Sequence, residues 1–163
     1  PKSMKDRVIV PIRWHHKLIG YVARATKDQS PKYFAQVQPG TLFNLDNQHW
    51  SRKFVILVEG IFDAIQIDAV AILGSEIAHK QKLQIDALNR KVIVVPDRDR
   101  AGTKLIEQAC EWGWSVSMPP WGDNIKDVND AVQQYGKILT MQAILKYTND
   151  SKTKIKLQEK LWI

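Results

Sequence analysis

The chain is poor in the residues that staple folds or cross membranes. Its 163 residues include a single cysteine, Cys110. No disulfide can close within the chain and no cysteine-rich zinc site can form, which suits a reducing, cytoplasmic setting. No apolar run is long enough to span a bilayer, and no secretory signal pattern opens the sequence, so no membrane partner is expected. No G-x-G-x-x-G follows the first buried strand, which disfavours a dinucleotide-binding domain. His15 and His16 fall in a turn and His79 near a helix start, without companion ligands, so they read as surface residues rather than a zinc site. There is no internal repeat and no low-complexity segment.

What is present is ordinary in size and apolar content but basic. A 44% apolar fraction over this length suffices for one well-packed domain, or for one domain with a small subdomain. The formal charge of +7 suits a polyanionic partner, though many basic proteins bind none. The sequence begins at Pro1 rather than Met, compatible with a trimmed domain or with the middle of a longer protein.

Hydrophobic patterning divides the chain. Arg7–Arg13 and Leu18–Ala25 are rich in β-branched residues and flank His15, His16 and Lys17, as in a β-hairpin. Lys27–Gln48, with Pro31, Pro39 and Gly40, reads as mostly loop. From Phe54 onward the pattern alternates. FVILV (Phe54–Val58), VAIL (Val70–Leu73), KVIVV (Lys91–Val95) and Trp114–Ser117 read as buried strands. Between and after them, helices are expected through Ile61–Asp68, His79–Leu88, Ala101–Trp112, Ile125–Tyr135 and Ile138–Tyr147. A lysine-rich tail, Lys152–Ile163, could add a terminal helix. This order implies an α/β fold with a mostly parallel sheet flanked by helices, preceded by a small β-rich subdomain. The expected divisions are 1–52, 53–136 and a C-terminal helical segment at 137–163.

In such sheets, ligands gather beyond the carboxyl ends of the strands. Glu59 and Gly60 follow the first of these strands, with Asp63 one helical turn on, and Asp97-Arg98-Asp99 follows the third. Any one of these aspartates could be a helix cap or turn residue. Several carboxylates at two strand ends are harder to dismiss, because their repulsion costs stability unless a cation is present. Hard oxygen donors suit Mg²⁺, which retains waters and accepts phosphate oxygens, and two such ions can serve a phosphoryl transfer.

These residues also carry a family resemblance. VEGIFDAI (Val58–Ile65) and PDRDRAG (Pro96–Gly102) resemble the two signature motifs of the TOPRIM domain. That domain is shared by bacterial-type primases, type IA and II topoisomerases and several nucleases. The primase versions read like VEGYMD and DGDRAG, to which Asp63, Ala101 and Gly102 are closer than to the topoisomerase DPDREG. LGS (Leu73–Ser75) is similar to the LGT turn of primases. RVIVPIR (Arg7–Arg13), GYVAR (Gly20–Arg24) and PKY (Pro31–Tyr33) resemble the FPIR, GFGGR and PKYLNS elements found only in the primase branch. The resemblance covers roughly residues 7–135.

The resemblance implies a Rossmann-like TOPRIM core making short RNA primers on single-stranded DNA from ribonucleoside triphosphates. It implies two Mg²⁺ or Mn²⁺ ions held by Glu59, Asp97 and Asp99, with Asp63 and Asp127 supporting. Glu59 could alternatively be a general acid or base. Arg24 and Lys32, with Arg7 and Arg13 as further candidates, would neutralise triphosphate or template, and a replicative helicase would be engaged through parts outside this chain. The family normally carries a zinc-binding domain and an earlier polymerase stretch before this region; the chain could be a fragment or a compact phage-like variant. Three positions depart from the pattern: Asn129 in KDVND (Lys126–Asp130), where a second acid is expected, Arg98 in place of Gly, and Ala35 in place of Asn. Arg98 is expected to point away from the ions, toward a phosphate. Trp14, Tyr33 and Trp50 read as packing residues before base-stacking ones. The competing readings are a TOPRIM nuclease or topoisomerase piece, a non-catalytic TOPRIM scaffold, and a receiver-type phosphoacceptor domain.

Overall fold

The computed structural model of the chain describes residues 4–162; Pro1–Ser3 and Ile163, the end of the expected tail helix, lie outside the described residues. Two sheets organise it. The first is antiparallel, in the order β1-β2-β3, from β1 (Arg7–Trp14), β2 (Lys17–Ala25) and β3 (Tyr33–Gln36). The hairpin turn places His15 and His16 at φ 47° and 65°, the left-handed geometry that matches the twist of paired strands. The segment expected to be loop thus contains β3, a short strand whose four residues are all exposed and carry no alternating pattern.

The second sheet has the order β5-β4-β6-β7-β8. Its strands are β4 (Phe54–Val58), β5 (Val70–Ala71), β6 (Lys91–Val94), β7 (Ser115–Ser117) and β8 (Thr148–Asn149). The β4–β5, β4–β6 and β6–β7 pairs are parallel, and β8 closes the edge antiparallel to β7. The VAIL strand is shorter than its apolar run, because Leu73 turns into the left-handed region at φ 58°.

Alternation along the central strands feeds two cores, as a period of two requires. Val55, Leu57, Val92 and Val94 point to one face. There they meet Leu105, Ile106 and Ala109 of α3 (Arg100–Trp112), Ile85 of α2 (His79–Asp86), and Ile155 and Trp162 of α6 (Lys152–Trp162). Ile56, Val58, Ile93 and Val95 point to the other face. They pack on α1 (Ile61–Ile67), α4 (Val128–Tyr135) and α5 (Lys137–Lys146) through Ala64, Val128 and Ile144. The tail is therefore an integral helix, although Leu157 and Leu161 stay exposed. Helix α4 begins at Val128 rather than Ile125, because Asp127 caps it. A third cluster, Ile12, Val22 and Ile61, joins the antiparallel sheet to α1.

Candidate active-site cleft

Three strand or loop exits meet where the two sheets join. The chain leaves β4 at Glu59-Gly60 and enters α1, whose first turn carries Asp63. It leaves β6 at Pro96-Asp97, makes one turn, and enters α3. It leaves β7 through a long loop and enters α4 at Asp127. Glu59, Asp63, Asp97 and Asp127 line one cleft of about 440 Å³, with Tyr33 and Phe62 on its wall.

Close backbone approach builds this crevice. A Cβ on Gly102 would lie 2.1 Å from the Asp97 carbonyl oxygen, so glycine lets α3 start directly against the β6 exit. A Cβ on Gly60 would lie 2.4 Å from Asp63 Oδ2, so glycine there leaves room for the Asp63 carboxylate in its present position. The backbone N–H of Asp97 donates to Glu59 Oε1 at 3.2 Å, tying the two strand ends together. The N–H of Asn129 donates to Asp63 Oδ1 at 2.8 Å, tying α4 to α1.

The electrostatics are one-sided. Glu59 and Asp63 are buried, and among the described residues none of the four cleft carboxylates forms an ion pair. Burial, and then the charges of Glu59, Asp63 and Asp127, push Asp97 up to about 8. Burial raises Glu59 to about 7, with Asp99 and Asp63 adding to it. Burial raises Asp63 to about 6, with Asp127 next in size. Asp127 is raised by burial as well, while Arg24 opposes the shift. Like carboxylates out of water raise one another in this way, and a bound cation reverses the shift.

The donor set, oxygen only and negatively charged, fits a hard divalent cation. Among the described residues, no three His, Cys, Asp or Glu side chains form a group that could hold an ion unaided. Waters and phosphate oxygens would have to complete a coordination shell, which is how Mg²⁺ is ordinarily bound at phosphoryl-transfer sites.

The other expected site residues divide. Asp99 is not on the cleft wall; its Oδ1 accepts from the N–H groups of Ala101 at 2.7 Å and Gly102 at 3.0 Å and so caps α3. Asp127 does both, lining the cleft while Oδ1 accepts from Asp130 N–H at 2.7 Å. The Asn129 amide oxygen is taken by Gln66 Nε2 at 3.0 Å, so only its backbone serves the cleft. Ala35 lines the cleft without offering a ligand. Arg98 points away from the acids, as expected, but to protein rather than open space. It donates to the Trp162 carbonyl at 2.5 Å and the Trp121 carbonyl at 3.4 Å, and it faces Asp123.

Among the basic candidates, Arg24 is the one whose charge acts on a cleft carboxylate, Asp127. Its guanidinium lies 4.8 Å from the Phe62 ring centroid and 5.7 Å from that of Tyr33. Lys32 Nζ is 5.9 Å from the Tyr33 ring. Arg7 donates to the Pro31 carbonyl at 2.7 Å, bracing the loop before β3, and Arg13 to the His16 carbonyl at 3.2 Å, bracing the hairpin turn. Phe62 completes the aromatic wall, and its only signal in the sequence is its place between Glu59 and Asp63. Two aromatic expectations change. Tyr33 is a wall residue of the cleft rather than packing, and Trp50 is 83% exposed. Trp112 and Trp114 do pack, edge to face, against the main core.

Comparison with known proteins follows the same lines. Residues 56–132 match the Toprim-like family. A DNA primase from Thermotoga maritima is 28% identical over 153 residues, covering 82% of this chain and 27% of the relative. The chain thus spans about a quarter of that relative's length. The DnaG catalytic core superposes with a TM-score of 0.72 at 23% identity, over 88% of this chain and 53% of that one. A DnaG primase catalytic domain bound to single-stranded DNA gives 0.70 at 22% identity, over 86% of this chain and 53% of that one. Residues 56–132 match the Toprim-like family, within a chain that has the fold of the DnaG catalytic core.

Proposed function

We propose that the chain is the metal-binding part of a DNA primase, joining ribonucleotides into short RNA primers on a single-stranded DNA template. The observation that carries this reading is the convergence of Glu59, Asp63, Asp97 and Asp127 on one cleft walled by Tyr33 and Phe62, with the Arg24 guanidinium against both rings. Similarity to primases along most of the chain supports it.

Mg²⁺ or Mn²⁺ at this site, as one ion or two, would neutralise charge on the triphosphate and on the attacking 3′-oxygen. Glu59 and Asp97, at the two strand ends, would hold it, with Asp63 and Asp127 completing the acidic wall. Asp99 would contribute through the oxygen not used in capping α3. Arg24 would meet phosphate charge from the opposite side, with Lys32 beyond it, and Arg7 and Arg13 act mainly by holding their loop and turn. Phosphate contacts of this kind make binding fall steeply with salt. Template, nascent primer and triphosphates would share the opening between the two sheets. Partner contacts, including any with a replicative helicase, belong to parts of the protein outside this chain, and the chain alone should prime poorly.

The test is a priming assay with ribonucleotides on single-stranded DNA, using the full-length protein. Wild type should make short RNAs with Mg²⁺ or Mn²⁺, and Asp97→Ala or Glu59→Ala should abolish synthesis while the fold survives. Mutants that still prime would remove the site assignment, and DNA cleavage by wild type would favour a nuclease.

A further inference from the structure

A second cavity, of about 280 Å³, lies away from the carboxylates, between the hairpin of the first sheet and α2. Trp14, Ile19, Gln38, Lys80 and Gln84 line it. We propose that this cavity is a binding site for one nucleotide unit, whose base sits against Trp14 with its edge at Gln84 and whose phosphate meets Lys80.

Three observations support the chemistry. First, Gln84 Oε1 is buried without any hydrogen-bond partner. A buried amide oxygen left unpaired carries a standing desolvation cost, and a turn of the Gln84 amide that brings it to the cavity lets a ligand donor recover it. Gln side chains pair with base edges in this way, through an amide that offers both an acceptor and donors. Second, Trp14 is half-buried, packing on the main core while lining the cavity, and its ring is held edge-on by His15 at 4.5 Å between centroids. An immobilised indole is a ready surface for base stacking. Third, Lys80 is exposed and has no ion-pair partner among the described residues. Among the described residues, no acidic side chain lines the cavity to repel a phosphate.

The walls are fixed before any ligand arrives. Buried Gln81 donates from Nε2 to the Thr41 carbonyl at 2.9 Å and to the Ile72 carbonyl at 2.8 Å, locking the loop that carries Thr41 to the exit of β5. The backbone N–H of His15 donates to Asp46 Oδ2 at 2.8 Å, locking the hairpin turn to the same region. Strand β2 connects the two cavities, since Ile19 lines this one and Val22 the acidic cleft. Three residue steps along β2, roughly 10 Å, separate Ile19 from Val22. A strand whose end is in the cleft could therefore place a neighbouring nucleotide here, and a free nucleotide could occupy the same groups. The inference goes beyond the primase reading and does not depend on the carboxylates.

The experiment is a chemical-shift titration of the ¹⁵N-labelled chain in EDTA, so that binding through divalent cations is suppressed. One arm uses adenosine monophosphate and the other a short oligodeoxyadenylate. The Trp14 indole N–H and the Gln84 side-chain amide should shift and saturate in at least one arm, and which arm does so identifies a free nucleotide or a unit within a strand. Gln84→Leu and Lys80→Met should each weaken binding by roughly tenfold, about 1.4 kcal/mol, while keeping a folded spectrum. No shift at Trp14 in either arm overturns the proposal, as do shifts confined to Gly60 and Asp97 or unchanged affinity in both variants. Each of these results leaves the priming test of Asp97→Ala and Glu59→Ala standing on its own.

Discussion

Asp63 Oδ1 accepts the backbone N–H of Asn129 at 2.8 Å, so the first acidic motif of the chain physically holds the start of the third. The position where primases are expected to carry a second acid thus serves the cleft through its main chain, while the Asn129 side chain turns to Gln66. The same Asp63 is buried, with a raised pKa. Its two roles, acceptor and buried charge, can be separated. Asp63→Asn keeps an amide oxygen for the Asn129 N–H and removes the charge. In EDTA its melting temperature should equal or exceed that of wild type, and its stabilisation by Mg²⁺ should shrink. Asp63→Ala loses both roles and should melt lower than Asp63→Asn.

The raised carboxylates predict a pH dependence opposite to that of a salt-bridged site. A carboxylate whose folded pKa lies above its unfolded value binds its proton more tightly when folded. It therefore favours folding most below the unfolded value, and that contribution is lost as pH rises through the folded one. With Asp63 at about 6, Glu59 at about 7 and Asp97 at about 8, metal-free stability should fall as pH climbs from the ordinary carboxylate range to about 8. Mg²⁺ or Mn²⁺ at pH 8 should restore it. Thermal melts across pH, with EDTA and then with each ion, measure this, and a metal-free profile that rises over this range would contradict the assigned burial.

Asp99 caps α3 through one oxygen, which gives a way to tell capping from metal binding. Asp99→Ala should cost about 1 kcal/mol in denaturant unfolding, the usual value of an N-cap. Asp99→Asn retains the cap and should unfold within a few tenths of wild type, roughly as Asn and Asp rank alike at this position. If Asp99→Asn nevertheless abolishes priming in the full-length protein, the free oxygen serves the ions. If it primes normally, Asp99 is a cap alone.

Arg98 stitches the Asp97–Asp99 turn to the end of α6, through the Trp162 carbonyl, and to the loop before α4, through the Trp121 carbonyl. Hydrogen bonds from a charged donor contribute about 1.5–3 kcal/mol, so Arg98→Ala should lose stability in that range. Hydrogen exchange should then quicken along Lys152–Trp162 while β4 and β6 stay protected. Arg98→Lys can keep only part of the fork and should fall between the two.

How far the fold could be read from the residues varies from element to element. Phe54–Val58 and Val92–Val94 are short continuous apolar runs rich in β-branched residues, as strands buried on both faces require. Helix α3 carries its Leu105, Ile106 and Ala109 stripe and its Gly113 stop in plain view. Tyr33–Gln36 carried no such signal, because all four residues are exposed and show no alternation between core and solvent. Asp127 was visible as an acid and as a possible helix cap, but that the helix starts only at Val128 rather than at Ile125 depends on side-chain geometry.

The amino-acid sequence by itself determined the alternation of strands and helices and which acids stand at strand exits, because both follow from local apolar period and residue type. Tertiary structure alone decided what those acids do. Glu59, Asp63, Asp97 and Asp127 become one cleft only because parallel strands end at the same edge and Gly102 permits α3 to close in on the β6 exit. Their raised pKa values follow from that shared burial, a property of distances between residues far apart in the chain. Asp99 and Asn129, both placed by motif spacing among the ligands or their substitutes, were drawn by nearby N–H and amide groups into capping α3 and pairing with Gln66.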